Sequence, residues 1–473
     1  MTILKLLEEY AKLHEDNPSI GYTESGREYI ASARQFYTDV KKAENYFRKG
    51  ANGEKKRIGI VGENSYSYLV ILFGIICSEN IAVPINQTYA DEMLCQFFKK
   101  TCLAEAICDE AYADSLLEMD TGIKIYSMEE CFAEIMKEDE KPYIDSDAKS
   151  SDIILMLLSS GTSGVSKVVQ LTNENLSTFP MRVQEYDRGK AKKSLLLLPF
   201  YHISGIIPLL EDMMLGNLIY LSNAKYLIRD LEQYDIEKLI LVPAMLKKVL
   251  GQCEKNEAFK NHCSNIKEAL CLGAPMDDAL IEKMKANSIE PKTYYGMTET
   301  TGTVSGEGKY KFGACGKISP FCQVKIEDGE ILVKGPNVMV GYFNDEEETS
   351  KVLKNGWIHT GDLGEIDEEG YLFVRGRKKN IIILSNGENV CPEELENRLY
   401  MCQYIEECKV FGDEEVKAEI FCGKHKNMDE IKQNVKDYVR SMNRTLPPSH
   451  KIKDIVFNDN PLKKNSMGKI SRI

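Results

Sequence analysis

The sequence predicts an α/β protein: a large N-terminal domain of mixed, mostly parallel sheets covered by helices plus a small β unit, with a small α+β domain behind it. Three observations carry this. Short apolar runs alternate with helical stretches through the first part of the chain. From about Phe312 the texture changes to glycine-punctuated, alternating segments such as "GEILVKG" and "GYLFVRGR", which suit antiparallel strands. After Arg377 it changes again, to helices around brief strands. A chain of 473 residues exceeds one ordinary core, so the division expected is 1–377 and 378–473.

The elements follow in order. "MTILKLLEEYAKLHED" reads as an amphipathic helix, because it lacks the apolar block and small-residue cleavage site of a signal peptide. "ESGREYIASARQFYTDVKKAENYF" supports a strand and a helix and little more. "RIGIV", a helix through "SYSYLVILFGIICSE" and then "IAVPIN" form a βαβ unit. Strands so continuously apolar belong in parallel sheets with both faces covered. The pattern recurs in "SLLLLPF", "IPLLEDMMLG" and "NLIYLS"; in "KLILV" and "PAMLKKVL"; and in "EALCLGA", "DDALIEKMKAN" and "KTYYG". Beyond the small β unit, "PEELENRLY" and "DEIKQNVKDYVRSM" read as helices around the strands "ECKVFG", "KAEIFCG" and "DIVFN". No repeat or low-complexity linker intervenes, so the junction near "GRKKN" is short.

Composition narrows the function classes. The chain is 43% hydrophobic and 28% charged, the make-up of a soluble globular protein, and no apolar run is long enough to span a bilayer. A cytoplasmic location is expected. A net charge of −13 argues against a general nucleic-acid binder, although a local basic groove for an anion stays open. None of the 14 cysteines forms a C-x-x-C pair and most lie in apolar strings, so they read as buried hydrophobes and not as a zinc or redox site.

One segment interrupts this regularity. "SSGTSGVSKVV", Ser159 to Val169, sits behind the apolar "IILMLL" and ahead of the strand-like "VVQLT". Its glycines and lysine lack the Walker spacing. The shared physics remains: Gly161 and Gly164 let backbone N–H groups approach an anion, the hydroxyls of Ser159, Ser160, Thr162 and Ser163 can donate to phosphate oxygens, and Lys167 adds charge. Alone, the segment is equally an ordinary Gly/Ser hairpin loop.

Four other segments change its weight: "YYGMTETTG" (294–302), "HTGDLGEID" (359–367), "VRGRKKNIIILSNGENVCPEELE" and the terminal "NPLKKNSMGKISRI". With the opening loop they resemble, in order and rough spacing from about Arg57 to the C-terminus, the adenylate-forming superfamily of acyl-CoA synthetases, luciferases and peptide-synthetase adenylation domains. The resemblance implies that ATP and Mg²⁺ activate a carboxylic acid as an acyl-adenylate, with pyrophosphate released. The acyl group then passes to the thiol of CoA, or of a phosphopantetheine. It also implies a mobile C-terminal lid domain.

Residue by residue, the resemblance implies the following. The Ser159 to Lys167 loop handles the β- and γ-phosphates, Thr298 faces the α-phosphate, and Glu299 holds Mg²⁺; without the motif Glu299 would be a solvated turn carboxylate. Asp362, expected in a Thr-Gly-Asp β turn, accepts from both ribose hydroxyls. Arg377 assists the nucleotide, against the plain alternative of a surface strand arginine; Arg375 reads as structural. Gly273, Ala274, Pro275 and Tyr295 wall in adenine, Tyr295 by stacking, though a core tyrosine at a strand end fits nearly as well. Lys469 bridges the substrate carboxylate and the phosphate during adenylation. Lys379 is the hinge between two lid orientations, and Gly387 belongs to the face presented to the thiol.

Three departures stand out. Ser163 replaces a common threonine, "VSK" lacks the usual proline before lysine, and Asn380 stands where an acidic residue often follows the hinge.

For the acid, "LPFYHISG" resembles the segment lining the acyl pocket, with His202 at a gating aromatic position; acid/base work by this histidine is weighed against a structural role. Gly205, Val242, Leu272 and Met297 complete the expected lining. Amino-acid-activating relatives place an aspartate near here, and Tyr201 to Ser204 contains no carboxylate to pair with a substrate ammonium. "YGMTE" also looks more like acyl-CoA synthetases than the "YGPTE" of peptide-synthetase domains. A fatty or aryl acid is therefore expected. The alternatives are an acid-AMP ligase loading an acyl carrier protein and a non-catalytic nucleotide-binding scaffold, which would have lost Lys469, Glu299 or Asp362.

Overall fold

The structure, a computed structural model, describes residues 1–473 apart from 25, 52–54, 90, 119–120, 141–147, 160–166, 183–189, 274–275, 385–387, 425–426, 465–469, 471 and 473, with the backbone alone at 50, 51, 278 and 307. Two seven-stranded sheets dominate it. The first runs, in spatial order, Glu290–Thr293, Glu268–Cys271, Lys238–Leu241, Lys193–Leu196, Leu218–Leu221, Pro18–Glu24 and Arg27–Ser32. Its neighbours are parallel until the last pair, an antiparallel hairpin at the edge. The second runs Gly341–Tyr342, Lys167–Thr172, Ile153–Ser159, Ile81–Ile85, Arg57–Val61, Glu105–Cys108 and Lys124–Ser127. Its parallel part ends at Ile153–Ser159, after which two antiparallel pairings finish the sheet.

The period of two along each strand explains how the sheets are sandwiched. Leu155 and Leu157 point into the same core as Leu196, Ile240 and Leu270 of the other sheet, and this shared core is filled by the helices Ala33–Ala51, Tyr66–Cys77 and Ile203–Met214. Met156 and Leu158 face the opposite way, onto the helix Asp91–Lys100. Leu239 and Leu241 likewise turn outward onto the helices Pro243–Lys255 and Asp278–Ala286. Helix Tyr66–Cys77 is apolar all round because the shared core surrounds it. Ser65 starts this helix by accepting from the Tyr68 N–H at 3.1 Å.

Next comes the antiparallel unit of Gln323–Glu327, Glu330–Lys334, Leu353–Lys354, Trp357–Ile366 and Leu372–Arg377. The last part of the chain forms a three-stranded sheet, Glu407–Gly412, Val416–Phe421 and Asp454–Asn458, with helices Pro392–Leu399 and Met428–Asn443. Its core, from Ile382 through Val390, Leu395 and Ile420 to Ile452, is drawn wholly from this segment.

Two expectations need correction. "KTYYG" does not continue as a strand: the ladder covers Glu290–Thr293, and Tyr294 turns inward so that its hydroxyl donates to Glu211 Oε1 at 3.0 Å. Asp362 is not in a turn but inside the ten-residue strand Trp357–Ile366, paired with Arg377. Gly361, at φ +72°, lets that strand kink without ending. All 14 cysteines are free thiols, eleven of them buried and one, Cys102, exposed. Among the described residues no helix is long and apolar enough to cross a membrane.

Candidate active site

The parallel strands stop at one edge of the sheets, where an α/β architecture leaves its crevice. The hairpin Ile153–Ser159/Lys167–Thr172 opens there, its last rung pairing Ser159 with Lys167. Ser160, Gly161, Thr162, Ser163 and Gly164 lie outside the described residues. Lys167 is described: its Nζ lies 4.7 Å from the centroid of the Tyr342 ring and 2.5 Å from Glu348 Oε2.

Tyr342 connects this cation to Glu299. Glu299 sits in the single 3₁₀ turn Thr298–Thr300, which is fastened locally by the Met297 N–H donating to Thr300 Oγ1 at 3.0 Å. Thr301 and Gly302 then take left-handed conformations, at φ +51° and +80°, turning the chain back. The Glu299 side chain is buried, and its Oε1 accepts from the Tyr342 hydroxyl at 2.9 Å. Burial raises its pKa above the usual carboxylate value, while the Tyr342 hydrogen bond, Arg377 and Lys167 oppose the rise. A carboxylate drawn out of water in this way is stabilised by a close cation. One hard oxygen donor beside a phosphate site is how Mg²⁺ is commonly held, so the residues fit that ion.

Asp362 forms the second centre. It is buried; Oδ2 accepts from the Tyr295 hydroxyl at 2.7 Å and Oδ1 from Arg377 Nε at 2.7 Å. Arg377 also donates through Nη1 to the Thr360 carbonyl at 3.0 Å, and Thr360 Oγ1 accepts from the Asp362 N–H at 3.1 Å. Burial and the neighbouring Asp362 charge raise the Tyr295 pKa well above its ordinary value, so the phenol keeps its proton and donates. A carboxylate has two oxygens, the number needed to accept from a pair of hydroxyls.

Other predicted residues among those described lie at the strand ends and on the helix that follows. Gly273, at φ +83°, follows the strand Glu268–Cys271, and the Cβ that an alanine would carry there lies 3.8 Å from Val242 Cγ1, at the end of the adjoining strand. Leu272 is buried in the core between the sheets, its N–H donating to the Leu241 carbonyl at 3.0 Å. His202 caps the helix Ile203–Met214, with its ring 4.6 Å from that of Tyr201. Gly205 is required there, since a side chain would run into the Pro199 carbonyl. Gly302 approaches the same helix, an added Cβ lying 3.4 Å from Ile203, which ties "YGMTETTG" to "LPFYHISG".

Lys379 occupies the 3₁₀ turn Lys378–Asn380 between Arg377 and the C-terminal segment. Burial, with Arg377 and Lys167 nearby, lowers its pKa. Lys379, Arg377 and Lys167 are thus near one another, the last two paired with Asp362 and Glu348. Asn380, at the position where an acid is common, donates to Glu393 Oε1 at 2.6 Å across the junction. Ala274, Pro275, Gly387 and Lys469 lie outside the described residues.

Tyr342, Thr360 and Glu348 belong to this site but escaped the sequence reading. Tyr342 reaches it because the two-residue strand Gly341–Tyr342 adds itself to the edge of Lys167–Thr172. The only hint was an aromatic after glycine in "VGYFND", and the acids that follow read simply as a helix start.

Comparison with known proteins gives the family and the fold. Residues 7–343 match the family described as "AMP-binding enzyme", and residues 379–473 match "AMP-binding enzyme C-terminal domain". A 2-succinylbenzoate–CoA ligase of Oceanobacillus iheyensis is 30% identical over 341 residues, covering 67% of this chain and 70% of the relative. A ligase of the same name from Bacillus cereus is 30% identical over 382 residues, covering 76% and 75%. In fold, the chain is similar to the AMP complex of O-succinylbenzoate coenzyme A synthetase from Bacillus subtilis, with a TM-score of 0.80 and 23% identity over 99% of this chain and 97% of that one. It is also similar to ATP-bound MatB from Rhodopseudomonas palustris, with a TM-score of 0.83 and 21% identity over 100% and 98%.

Proposed function

The chain belongs to the AMP-binding enzyme family, and from that premise we propose that its substrate is an aryl acid and that the residues described above divide two half-reactions between them. The enzyme is a ligase that uses ATP, Mg²⁺ and CoA. In the first half-reaction a carboxylate oxygen bonds to the α-phosphorus of ATP and the bond to pyrophosphate breaks. In the second, the CoA thiolate bonds to the acyl carbon, AMP leaves with the electron pair of the C–O bond, and the thiol proton goes to solvent.

The first step brings two anions together, so fixed cations and donors must face them. The loop from Ser159 and Ser160 through Gly161, Thr162, Ser163 and Gly164 to Lys167 holds the β- and γ-phosphates. Thr298 donates to the α-phosphate. Asp362 accepts from the ribose hydroxyls, oriented by Tyr295 and Arg377, and Gly273, Ala274 and Pro275 border the adenine. Glu299 holds Mg²⁺, which neutralises charge on the phosphates when bound. Lys469 bridges acid and phosphate. In the second step the segment 378–473 turns about Lys379, withdrawing Lys469 and bringing Gly387 toward the thiol. His202, Gly205, Val242, Leu272 and Met297 line the acyl pocket.

The observation that carries this reading is the linkage of Lys167, Tyr342 and Glu299 beside the Tyr295–Asp362–Arg377 cluster: a phosphate cation, a metal-fit carboxylate and a diol acceptor at one strand edge. The aryl preference rests on the 2-succinylbenzoate–CoA ligases among its relatives, while the absence of a carboxylate from Tyr201 to Ser204 speaks against an amino acid. With ATP, Mg²⁺ and CoA, mass analysis should find a CoA thioester from 2-succinylbenzoate or another aryl acid and not from straight-chain fatty acids. Thioesters from fatty acids alone would overturn the aryl assignment. An acyl-adenylate that accumulates despite CoA would make a carrier protein the acceptor.

A further inference from the structure

Among the described residues, Glu348 is the acid of "DEEETS" whose carboxylate reaches Lys167 of the phosphate-loop hairpin. It stands in the first turn of the short helix Glu346–Val352, where its N–H is held by Asp345 Oδ1 at 3.1 Å. Its two oxygens serve different cations: Oε2 meets Lys167 Nζ at 2.5 Å, and Oε1 meets Lys351 Nζ at 2.6 Å. Lys167 and Lys351 together hold the carboxyl down to about 2, so it is an anion throughout the working pH range. Lys351 has a second partner as well, Glu347 Oε1 at 2.7 Å.

This arrangement allows exchange. When Lys167 leaves, Glu348 is not stranded, because Lys351 still neutralises it. The departing ammonium keeps the face of Tyr342, 4.7 Å away, as a guide toward the hairpin end. From these contacts we infer that Glu348 is the resting counter-ion of Lys167 and competes with the nucleotide's phosphates for it, setting the affinity for ATP and the release of pyrophosphate. Glu348 is thus a positioning residue, acting through Lys167. The inference rests on the reading that Lys167 contacts the phosphates.

The pair is partly exposed, with 21% of the Lys167 side chain and 33% of the Glu348 side chain accessible, so its effect is modest. Glu348→Gln should tighten binding of Mg-ATP and of inorganic pyrophosphate about two- to five-fold, measured by calorimetry on the full chain. A residue needed only for structure would weaken binding instead. In a Lys167→Met background the gain should vanish, since a direct competition requires both partners.

Unchanged or weaker binding by Glu348→Gln, in a protein where Lys167→Met does weaken ATP binding, would overturn the inference while leaving the phosphate reading intact. A gain that persists in the Lys167→Met background would also overturn it, because the carboxylate would then act only through the general field. If Lys167→Met leaves ATP affinity unchanged, the phosphate role of Lys167 fails and the inference falls with it.

Discussion

Lys469→Ala is expected to lower acid-dependent acyl-adenylate formation by at least about a hundred-fold, the loss typical of removing one fixed donor from a charged transition state. Conversion of a supplied acyl-adenylate to its CoA thioester should stay within about three-fold of the unaltered enzyme, because the second step needs no bridge between carboxylate and phosphate. The asymmetry is what identifies the role. A lysine that merely stabilised the C-terminal segment would depress both half-reactions together, and equal losses would remove Lys469 from the bridging assignment.

The second large effect is expected at Glu299. Glu299→Gln should reduce adenylation about a hundred-fold and raise the Mg²⁺ concentration needed for half-maximal rate. The fold should survive. Glutamine keeps an oxygen to accept from the Tyr342 hydroxyl, and the buried carboxylate whose ionised form burial disfavours is replaced by a neutral group. The melting temperature should therefore be unchanged or higher even as activity falls. A lower melting temperature with proportionate loss of activity would mean that Glu299 is a structural residue.

The α/β architecture was legible because both faces of the central strands are buried. Runs such as "IILMLL" are apolar at every position, one set of side chains facing the shared core and the other the outer helices. The break points were less legible. Thr-Gly-Asp has the composition of a turn, and nothing local reveals that Gly361 only kinks a strand whose pairing with Leu372–Arg377 continues. "KTYYG" has strand composition throughout, yet Tyr294 is drawn inward by Glu211, a contact between residues 83 positions apart.

The same limit applies to the site. Lys167, Glu299 and Asp362 could be named because the segments that carry them resemble those of a known family; residue type alone leaves Glu299 a turn carboxylate. Tyr342 could not, because its partner Glu299 is 43 positions away and the contact exists only when a two-residue strand pairs with the hairpin. Thr360 and Glu348 became visible for the same reason, through tertiary pairing with Arg377 and Lys167.

The central claim is that the enzyme joins its acid to the α-phosphate of ATP before any thiol takes part. Exchange of labelled pyrophosphate into ATP, measured without CoA across aryl and fatty acids, tests this most directly. The account predicts label in ATP only when Mg²⁺ and a suitable acid are present, because the adenylation step is reversible on the enzyme. Absence of exchange with every acid while ATP still binds, or formation of ADP and phosphate in place of AMP and pyrophosphate, would contradict it.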